Sequence, residues 1–230
     1  MRAHLLTTTA VVALLAALPV RAQDATWSTA PGSADFNTAA NWTPATVPTG
    51  TAFFGTSTTT SLSFSANTTV GGFTFNPGAP AYTFTVSSPF SLTFNNAGIS
   101  GGNVTITNNS QLNFSQTSSA GNAVITNNGL MRFLFFGTAG NANITNNGFL
   151  QFVNETTAGS ATITTATGAA TLFSDTSTAG LARLIANAGS AVDFSSNHLP
   201  VVTAGSIEGA GVYFLSPNAL AVGGNNFRPP

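Results

Sequence analysis

Cysteine and lysine are both missing from this chain of 230 residues. Without cysteine there are no disulfide bonds and no thiolate metal sites. Charge of either sign is scarce, since only 5% of the residues are Asp, Glu, Lys or Arg, against about a quarter in soluble proteins. The formal net charge of −1 offers no positive field to attract nucleic acid, so we expect no nucleic-acid partner.

The residues that are present favour β-strands. Hydrophobic residues make up 43% of the chain and include 19 Phe, while Thr, Ser and Asn replace the missing charges. Disordered chains have the opposite composition, with few aromatic residues and many charges. β-Branched and aromatic residues are enriched in strands, so this composition predicts a folded, all-β protein.

Residues 1–22 have the pattern of a secretory signal peptide. Arg2 precedes an apolar stretch from Leu5 to Val20, and Val20 and Ala22 place small residues before a cleavage site after Ala22. The alternative, an anchoring membrane helix, is less favoured because the stretch is short and contains threonines and a proline. We expect export through the inner membrane and no membrane span after cleavage.

A nineteen-residue unit is repeated along the middle of the chain. Residues 121–139 read GNAVITNNGLMRFLFFGTA, and residues 140–158 read GNANITNNGFLQFVNETTA. Equivalent units begin at Gly102, Gly121, Gly140, Gly159 and Gly180, at spacings of 19, 19, 19 and 21 residues. A period near 20 predicts stacked supersecondary units.

Within each unit the constant residues alternate with variable ones, as in a half-buried strand. The first strand is predicted to bury one column of small residues and one of Ile, and the second strand to bury a column of Phe preceded by Leu or Met. The Phe column comprises Phe114, Phe133, Phe152, Phe173 and Phe194. The first strand's columns are Val104, Ala123, Ala142, Ala161 and Ala182, and Ile106, Ile125, Ile144, Ile163 and Leu184.

A constant unit favours a coil in which every turn lies parallel on the previous one, about 4.8 Å away. The predicted fold is therefore a parallel β-helix (β-solenoid) with rungs of about 19–21 residues. A third short strand is expected around SQTSSA and VNETTA. Asn pairs follow the first strand, and we expect them to form left-handed corners and to stack their amides. These pairs are Asn108-Asn109, Asn127-Asn128 and Asn146-Asn147.

The flanking segments predict the ends of the coil. We assign residues 23–49 to an N-terminal cap packed around Trp27 and Trp42, residues 50–101 to irregular rungs, and residues 102–200 to the regular repeats. Residues 201–230 form the last rungs and an uncapped C-terminus. Their inward-facing residues are predicted to be Val212, Phe214, Leu220 and Val222. An uncapped edge without Lys invites edge-to-edge self-association.

Several segments resemble the passenger regions of autotransporters, the large exported surface proteins of Gram-negative bacteria. The matching segments are NVTITNN and its repeats, the GxLxF strands, the TSTAG turn, NWTPATVPTGTAFFGTS near the start and AGSIEGAGVYFLSPNALAVGGNN near the end. The resemblance implies a right-handed parallel β-helix carried across the outer membrane by a C-terminal barrel. No barrel-like strands follow residue 222, so we expect a passenger fragment.

The resemblance also implies a function, namely a non-enzymatic surface scaffold in adhesion or display. Its expected partner is a host-surface or glycan ligand. Its expected location is the cell surface or the extracellular space when a translocator is present, and the periplasm otherwise. We expect no catalytic, cofactor or metal site, because His198 is the single His outside the leader and one His gives no ligand set.

Two alternatives rest on particular residues. Glu155 and Asp175 fall at neighbouring positions of adjacent units, and a carboxylate pair is what glycan-cleaving enzymes use. Thr107, Thr126, Thr145 and Thr164 form one outward column. Paired threonine columns form ice-binding faces on some solenoids, but here the partner column is mixed, and β-branched packing explains a single column.

Overall fold

The computed structural model describes residues 22–215, 217 and 219–224, so the predicted signal peptide and the last six residues lie almost entirely outside it. The described chain is nearly all strand, with one short 3₁₀ turn at Ala39–Asn41. Its strands are β1 (Ala25–Trp27), β2 (Trp42–Thr43), β3 (Thr51–Phe54), β4 (Ser61–Ser63), β5 (Thr68–Phe75), β6 (Tyr82–Val86), β7 (Ser91–Ser100), β8 (Val104–Asn108), β9 (Gln111–Phe114), β10 (Val124–Asn127), β11 (Leu130–Phe133), β12 (Asn143–Asn146), β13 (Phe149–Phe152), β14 (Thr162–Thr165), β15 (Ala170–Phe173), β16 (Arg183–Ala186), β17 (Ala191–Asp193), β18 (Val201–Ala204), β19 (Ser206–Gly209), β20 (Val212–Phe214) and β21 (Ala219–Val222).

These strands form a β-solenoid of about eight turns, which confirms the predicted fold class. Alternate strands build two long sheets. One runs in the order β2-β1-β3-β5-β7-β9-β11-β13-β15-β17-β20, and the other in the order β19-β16-β14-β12-β10-β8-β6-β4. Every pair of strands is parallel apart from β1 and β2 at the N-terminal end. Residues 50–101 contribute strands β3 to β7 to these two sheets.

The register follows the repeat. Ile125 pairs with Ile106 on one side and with Ile144 on the other, and Ile144 pairs with Ile163. All four side chains are fully buried. The predicted buried column is therefore confirmed, and its residues are directly opposite one another on neighbouring strands.

The Phe column is confirmed in the same way. The rings of Phe114, Phe133, Phe152, Phe173 and Phe194 are completely buried, and Phe94 extends the column by one rung. Successive ring centroids lie 4.6–5.0 Å apart, with interplanar angles between 3° and 18°. Identical side chains in register thus stack in contact from one rung to the next.

The Asn pairs form two amide ladders on one corner of the coil. In the buried ladder, Asn108 Nδ2 donates to Asn127 Oδ1 at 2.7 Å, and Asn127 Nδ2 donates to Asn146 Oδ1 at 2.8 Å. In the exposed ladder, Asn147 and Asn128 each donate to the Asn of the preceding rung at 2.8 Å. The predicted amide stacking is confirmed.

The predicted left-handed conformation of these Asn pairs is wrong. None of them has a positive φ, and the left-handed residues other than glycine lie instead at the corner after the second strand. The corner after the first strand is closed in these rungs by the buried amides, which donate to backbone carbonyls in the second strand of the next rung. Hydrogen bonding across rungs therefore replaces a left-handed turn at this corner.

The third side of each rung is a narrow chain of parallel bridges that joins Gly98, Ser119, Thr138, Thr157 and Thr178. A third short strand is predicted at this side, and the structure has single bridges there instead of a strand. The Ala-Gly turn that follows has φ near +60° at its glycines, and a Cβ on Gly159 would lie 2.6 Å from the carbonyl oxygen of Gly140. Only glycine fits both the left-handed backbone and the close approach of the neighbouring rung.

The N-terminal end is closed by an antiparallel pair and buried rings. Trp27 and Trp42 are each 2% exposed and meet edge to face at 4.9 Å. The indole of Trp42 donates to the Phe36 carbonyl at 2.7 Å, and that of Trp27 to the Thr59 carbonyl at 2.9 Å. The two indoles pack against the coil rather than form an exposed platform.

At the other end, the predicted facing of the last rung needs correction. β20 pairs with β17 so that Tyr213, not its neighbours, lies opposite the buried Val192. Val212 and Phe214 therefore point outward and are about half exposed, because a shift of one residue reverses the face of every side chain in a strand.

Strand β21 behaves differently. Leu220 lies opposite the buried Val202 and packs against the core, as predicted. Val222 shares its column with the buried Ala204 but is 52% exposed. Inward facing alone therefore does not bury a side chain on this rung.

Candidate functional site

The candidate carboxylates, Glu155 and Asp175, lie at the corner that follows the second strand of each rung. At this corner one residue of each rung has a left-handed backbone, namely Gln116, Phe135, Asn154 and Asp175, with φ between 54° and 63°. The residue after it points away from the coil. Glu155 belongs to that outer column, and Asp175 to the left-handed one, one rung further on.

Hydrogen bonds between rungs hold this corner. The Phe135 N–H donates to Asn154 Oδ1 at 3.1 Å, and the Asn154 N–H donates to Asp175 Oδ2 at 2.9 Å. Asn154 Nδ2 also approaches the same carboxylate oxygen, at 3.4 Å. Each polar side chain thus satisfies a backbone donor of the previous rung, and Asp175 has a structural task at this corner.

Two exposed aromatic rings interrupt the polar corner. Phe135 and Phe136 are 47% and 55% exposed, whereas the equivalent positions of neighbouring rungs carry Gln116-Thr117 and Asn154-Glu155. An aromatic residue with a positive φ is an unusual combination, because the Cβ crowds the backbone. The structure thereby brings an apolar pair beside Glu155, which is exposed and whose backbone N–H bonds to the Phe135 carbonyl.

Sequence patterns missed this strained position. The geometry of the corner requires a left-handed backbone at this position in every rung. Two of the four equivalent positions carry Asn or Asp, the residues that tolerate this conformation best after glycine. Phe135 itself gives no local hint, because Phe rarely adopts this conformation. Alignment of the units at Asn154 could have identified it.

The ion pair between Arg183 and Glu208 lies on another side, at the junction of the regular repeats with the last rung. Arg183 Nε and Nη2 donate to the two carboxylate oxygens at 2.7 and 2.6 Å. These bonds lower the pKa of the Glu208 carboxyl, despite partial desolvation, and raise the pKa of the Arg183 guanidinium. The pair joins β16 to β19.

Asp35 lies at the N-terminal end, beside Ser63 of the first rung of the second sheet. Burial opposes its ionisation, but hydrogen bonds from Thr38, Ser65 and the Asn37 backbone outweigh burial and lower the pKa of its carboxyl. The carboxylate therefore ties the cap to the coil.

Neither the surface cavity near the last strands nor the placement of the His, Asp and Glu side chains adds support for an enzymatic reaction. A depression of about 440 Å³ lies near β18 and β21, and its walls include Leu181, Thr203 and Val222 but no titratable side chain. In the part of the chain that the structure describes, no three His, Cys, Asp or Glu side chains lie close enough to hold a metal ion. His198 is exposed.

Comparisons with models of known protein families, with curated proteins and with solved structures found no match to this chain. Residues 22–215, 217 and 219–224 include no helix long and apolar enough to cross a membrane.

Proposed function

We propose that the protein is an exported, non-enzymatic scaffold of the cell surface, the passenger part of an autotransporter, and that it acts in adhesion or display. One observation carries the proposal. The residues that stack inside the coil stay constant from rung to rung, whereas most outward residues differ between rungs, with the threonine column from Thr107 to Thr164 as the main exception. This is typical of a chain whose repeated part builds length and whose variable surface meets the environment.

Export fits the same picture. The leader at residues 1–22 supplies a route through the inner membrane. A solenoid in which each rung contacts only its neighbours can fold progressively as it emerges. Without cysteine, no disulfide must form before or after transport.

Export can be tested with the complete chain in a Gram-negative host. We expect the recovered protein to begin at Gln23 and to be found outside the cytoplasm, in the periplasm unless a translocator is supplied. Replacing Leu14 and Leu15 with Arg in the apolar stretch should keep the chain in the cytoplasm, and Thr8→Ser is the matched control. Uncleaved wild-type protein in the cytoplasm would contradict the proposal.

Adhesion needs a separate experiment. Beads coated with the mature chain should attach to cell layers or immobilised glycans more strongly than beads coated with the same chain after thermal unfolding. Equal attachment of the two coatings, or no attachment of either, would argue against an adhesive role while leaving export untouched.

A second candidate is a glycan-cleaving enzyme that acts through Glu155 and Asp175. It is favoured by the exposed rings of Phe135 and Phe136 beside Glu155, since aromatic faces stack on sugars. Release of reducing ends from polysaccharides by the wild-type chain, and its loss in both Glu155→Gln and Asp175→Asn, would establish this alternative. No release from any substrate by the wild-type chain leaves the scaffold as the proposal.

A third candidate is self-association through the last rung. Its support is the exposure of Val212, Phe214 and Val222 on strands β20 and β21. Light scattering over a range of protein concentrations tests it. A Val212→Ser, Phe214→Ser double variant should lower the apparent mass if these side chains form the contact.

A further inference from the structure

Part of the outward side of the second sheet is uncharged and rich in hydroxyl groups, and neither the stacking nor the proposed function uses it. Six consecutive strands, β4, β6, β8, β10, β12 and β14, each contribute two outward side chains. In chain order these are Ser61 and Ser63, Thr83 and Thr85, Thr105 and Thr107, Val124 and Thr126, Asn143 and Thr145, and Thr162 and Thr164. We call these twelve residues the threonine face, and we propose that it binds ice.

The structure completes an array that appears broken in the repeats alone. The irregular strands β4 and β6 add Ser61, Ser63, Thr83 and Thr85 in register with the repeats. The two columns then run through six rungs, and the only interruptions are Val124 and Asn143, which are of similar size to threonine. The pairing from β6 to β14 contains no register shift.

In one column of this face the threonine hydroxyls have no partner among the described residues, whereas in the other column the Thr83 hydroxyl donates to Ser61 Oγ at 2.8 Å. Among the described residues, Thr85, Thr107, Thr126, Thr145 and Thr164 donate no side-chain hydrogen bond to another protein group. Threonines elsewhere in the repeat do otherwise: Thr138 and Thr157 each accept from a glycine N–H at 3.0 Å. A packing role for the β-branched side chain would not require an outward hydroxyl, and valine would serve as well.

Geometry sets what such a face can recognise. Neighbouring strands lie about 4.7–4.9 Å apart, and alternate residues of a strand about 6.6 Å apart. Each threonine presents a hydroxyl that bonds to water and a methyl group that water can enclose. The result is a rigid two-dimensional grid of water-anchoring points, and only a ligand that is itself periodic in two dimensions can match it over six rungs. The ice lattice has repeats of this order.

Charge supports the same ligand. None of the twelve residues is charged, and the ionic groups lie just beyond the two ends of the face. Arg183 and Glu208 continue the same columns after Thr162 and Thr164, and Asp35 lies beside Ser63. A charged side chain orients water around itself and would disturb a lattice, so an uninterrupted neutral area is what ice binding needs.

A crystalline polysaccharide is the other ligand with two-dimensional order. Proteins that bind such surfaces stack aromatic rings on the sugars. The exposed rings Phe135, Phe136 and Phe149 lie on other sides of this coil, and the threonine face has Val124 as its only exposed large apolar side chain. The side chains present therefore favour ice.

The test uses the purified mature chain and two matched substitutions in one rung. Thr145→Tyr places a bulky ring in the centre of the threonine face, and Gln151→Tyr places the same ring on the opposite sheet, on β13. We expect the wild-type chain to shape ice crystals, to inhibit ice recrystallisation and to separate the freezing from the melting temperature. Thr145→Tyr should lose most of this activity, and Gln151→Tyr should keep it.

Each other outcome overturns the proposal. A wild-type chain without any effect on ice disproves it, and so does an equal loss in both variants. Pull-down by microcrystalline cellulose or chitin that Thr145→Tyr abolishes, without an effect on ice, would assign the face to polysaccharide. If Thr145→Tyr does not fold by circular dichroism, Thr126→Val replaces it, because it removes one hydroxyl and preserves the shape. None of these results depends on whether the chain is displayed or adhesive.

Discussion

The aromatic core is filled in two different ways on either side of Phe94. Towards the N-terminus, the series Trp27, Trp42, Phe54, Phe73 and Phe94 meets edge to face at every step, with interplanar angles from 68° to 81°. Towards the C-terminus, the rings from Phe94 to Phe194 lie nearly parallel at every step.

Register explains the difference. In the repeats each Phe lies directly opposite the next Phe, so equal side chains adopt the same orientation and stack. In the N-terminal rungs, Phe73 lies opposite Ala52 and Ile99, and it meets the rings of Phe54 and Phe94 diagonally. Where two rings there are opposite, as in Phe54 and Phe75, they stack at 16°. Both ring arrangements are favourable. The parallel rings of the repeats therefore reflect their register and do not indicate a stronger contact between rings.

The strongest way to break the regular region is to place a charge in its ring stack. Phe133→Asp should lower the free energy of unfolding by about 5 kcal/mol, because an unpaired carboxylate enters a fully apolar column. The neighbouring Arg132→Ala should change it by less than about 0.5 kcal/mol. Urea denaturation measures both, and equal effects would contradict the assigned faces.

The N-terminal region should be broken by truncating its central indole. Trp42→Ala should cost about 3–5 kcal/mol, because a buried side chain in contact with Trp27 and Phe54 is replaced by a cavity. The exposed neighbour provides the control, since Thr43→Ala should have almost no effect. Hydrogen exchange should show the loss of protection beginning in residues 25–75, and uniform loss along the coil would show that the two regions unfold together.

The amide ladders allow a finer test within the regular region. Asn127→Ala removes a buried partner from both Asn108 and Asn146, and should cost about 2 kcal/mol. Asn128→Ala removes two similar bonds between exposed amides and should cost less than about 0.5 kcal/mol. Thermal unfolding of the two variants compares them directly. Similar losses would mean that stacking of amides, not burial, gives the ladder its strength.

A stabilising substitution is predicted at the strained corner. Phe135→Asn should raise the free energy of unfolding by about 1 kcal/mol, because Asn tolerates a left-handed backbone that crowds other side chains. Phe136→Asn, beside it, removes a similar exposed ring without a positive φ and should not stabilise. A lower melting temperature for Phe135→Asn would show that its ring makes a contact worth more than the strain.

The smallest effect is expected where the regular rungs meet the last rung. The folded state lowers the pKa of Glu208, so the Arg183 pair stabilises the protein at neutral pH and loses this contribution as pH falls through the folded pKa. The Arg183 side chain is 36% exposed, so the contribution should stay below about 1 kcal/mol. Glu208→Gln should make the stability, measured by urea denaturation at a series of acidic pH values, fall slightly less steeply as the pH is lowered.

Strict repetition made most of the fold predictable. Constant columns such as Ile106, Ile125 and Ile144 identified the buried face, the direction of the strands and their register. The facing of β20 was not predictable, because Val212, Tyr213 and Phe214 are all apolar and alternation carries no signal there. Its register is set by pairing with β17, a contact between segments that no local pattern reports.

The candidate site was predictable only in part. The unit alignment placed Glu155 and Asp175 on adjacent rungs, which the structure confirms through the bond from Asn154 to Asp175. The Asp175 carboxylate accepts a hydrogen bond from a backbone N–H, and this role depends on the left-handed corner after the second strand. The sequence predicts a left-handed backbone for the Asn pairs instead. The exact course of a turn depends on the rungs above and below it as much as on its own residues.

Because each unit pairs with its neighbours in the same way, the length of the coil can change by whole repeat units. Gain or loss of one nineteen-residue unit would leave every remaining strand with an equivalent partner, and would lengthen or shorten the rod by about 4.8 Å. Near-identical tandem units are also the places where unequal recombination can insert or remove such a segment. Selection can therefore adjust the reach of the protein in whole rungs, without redesigning its core.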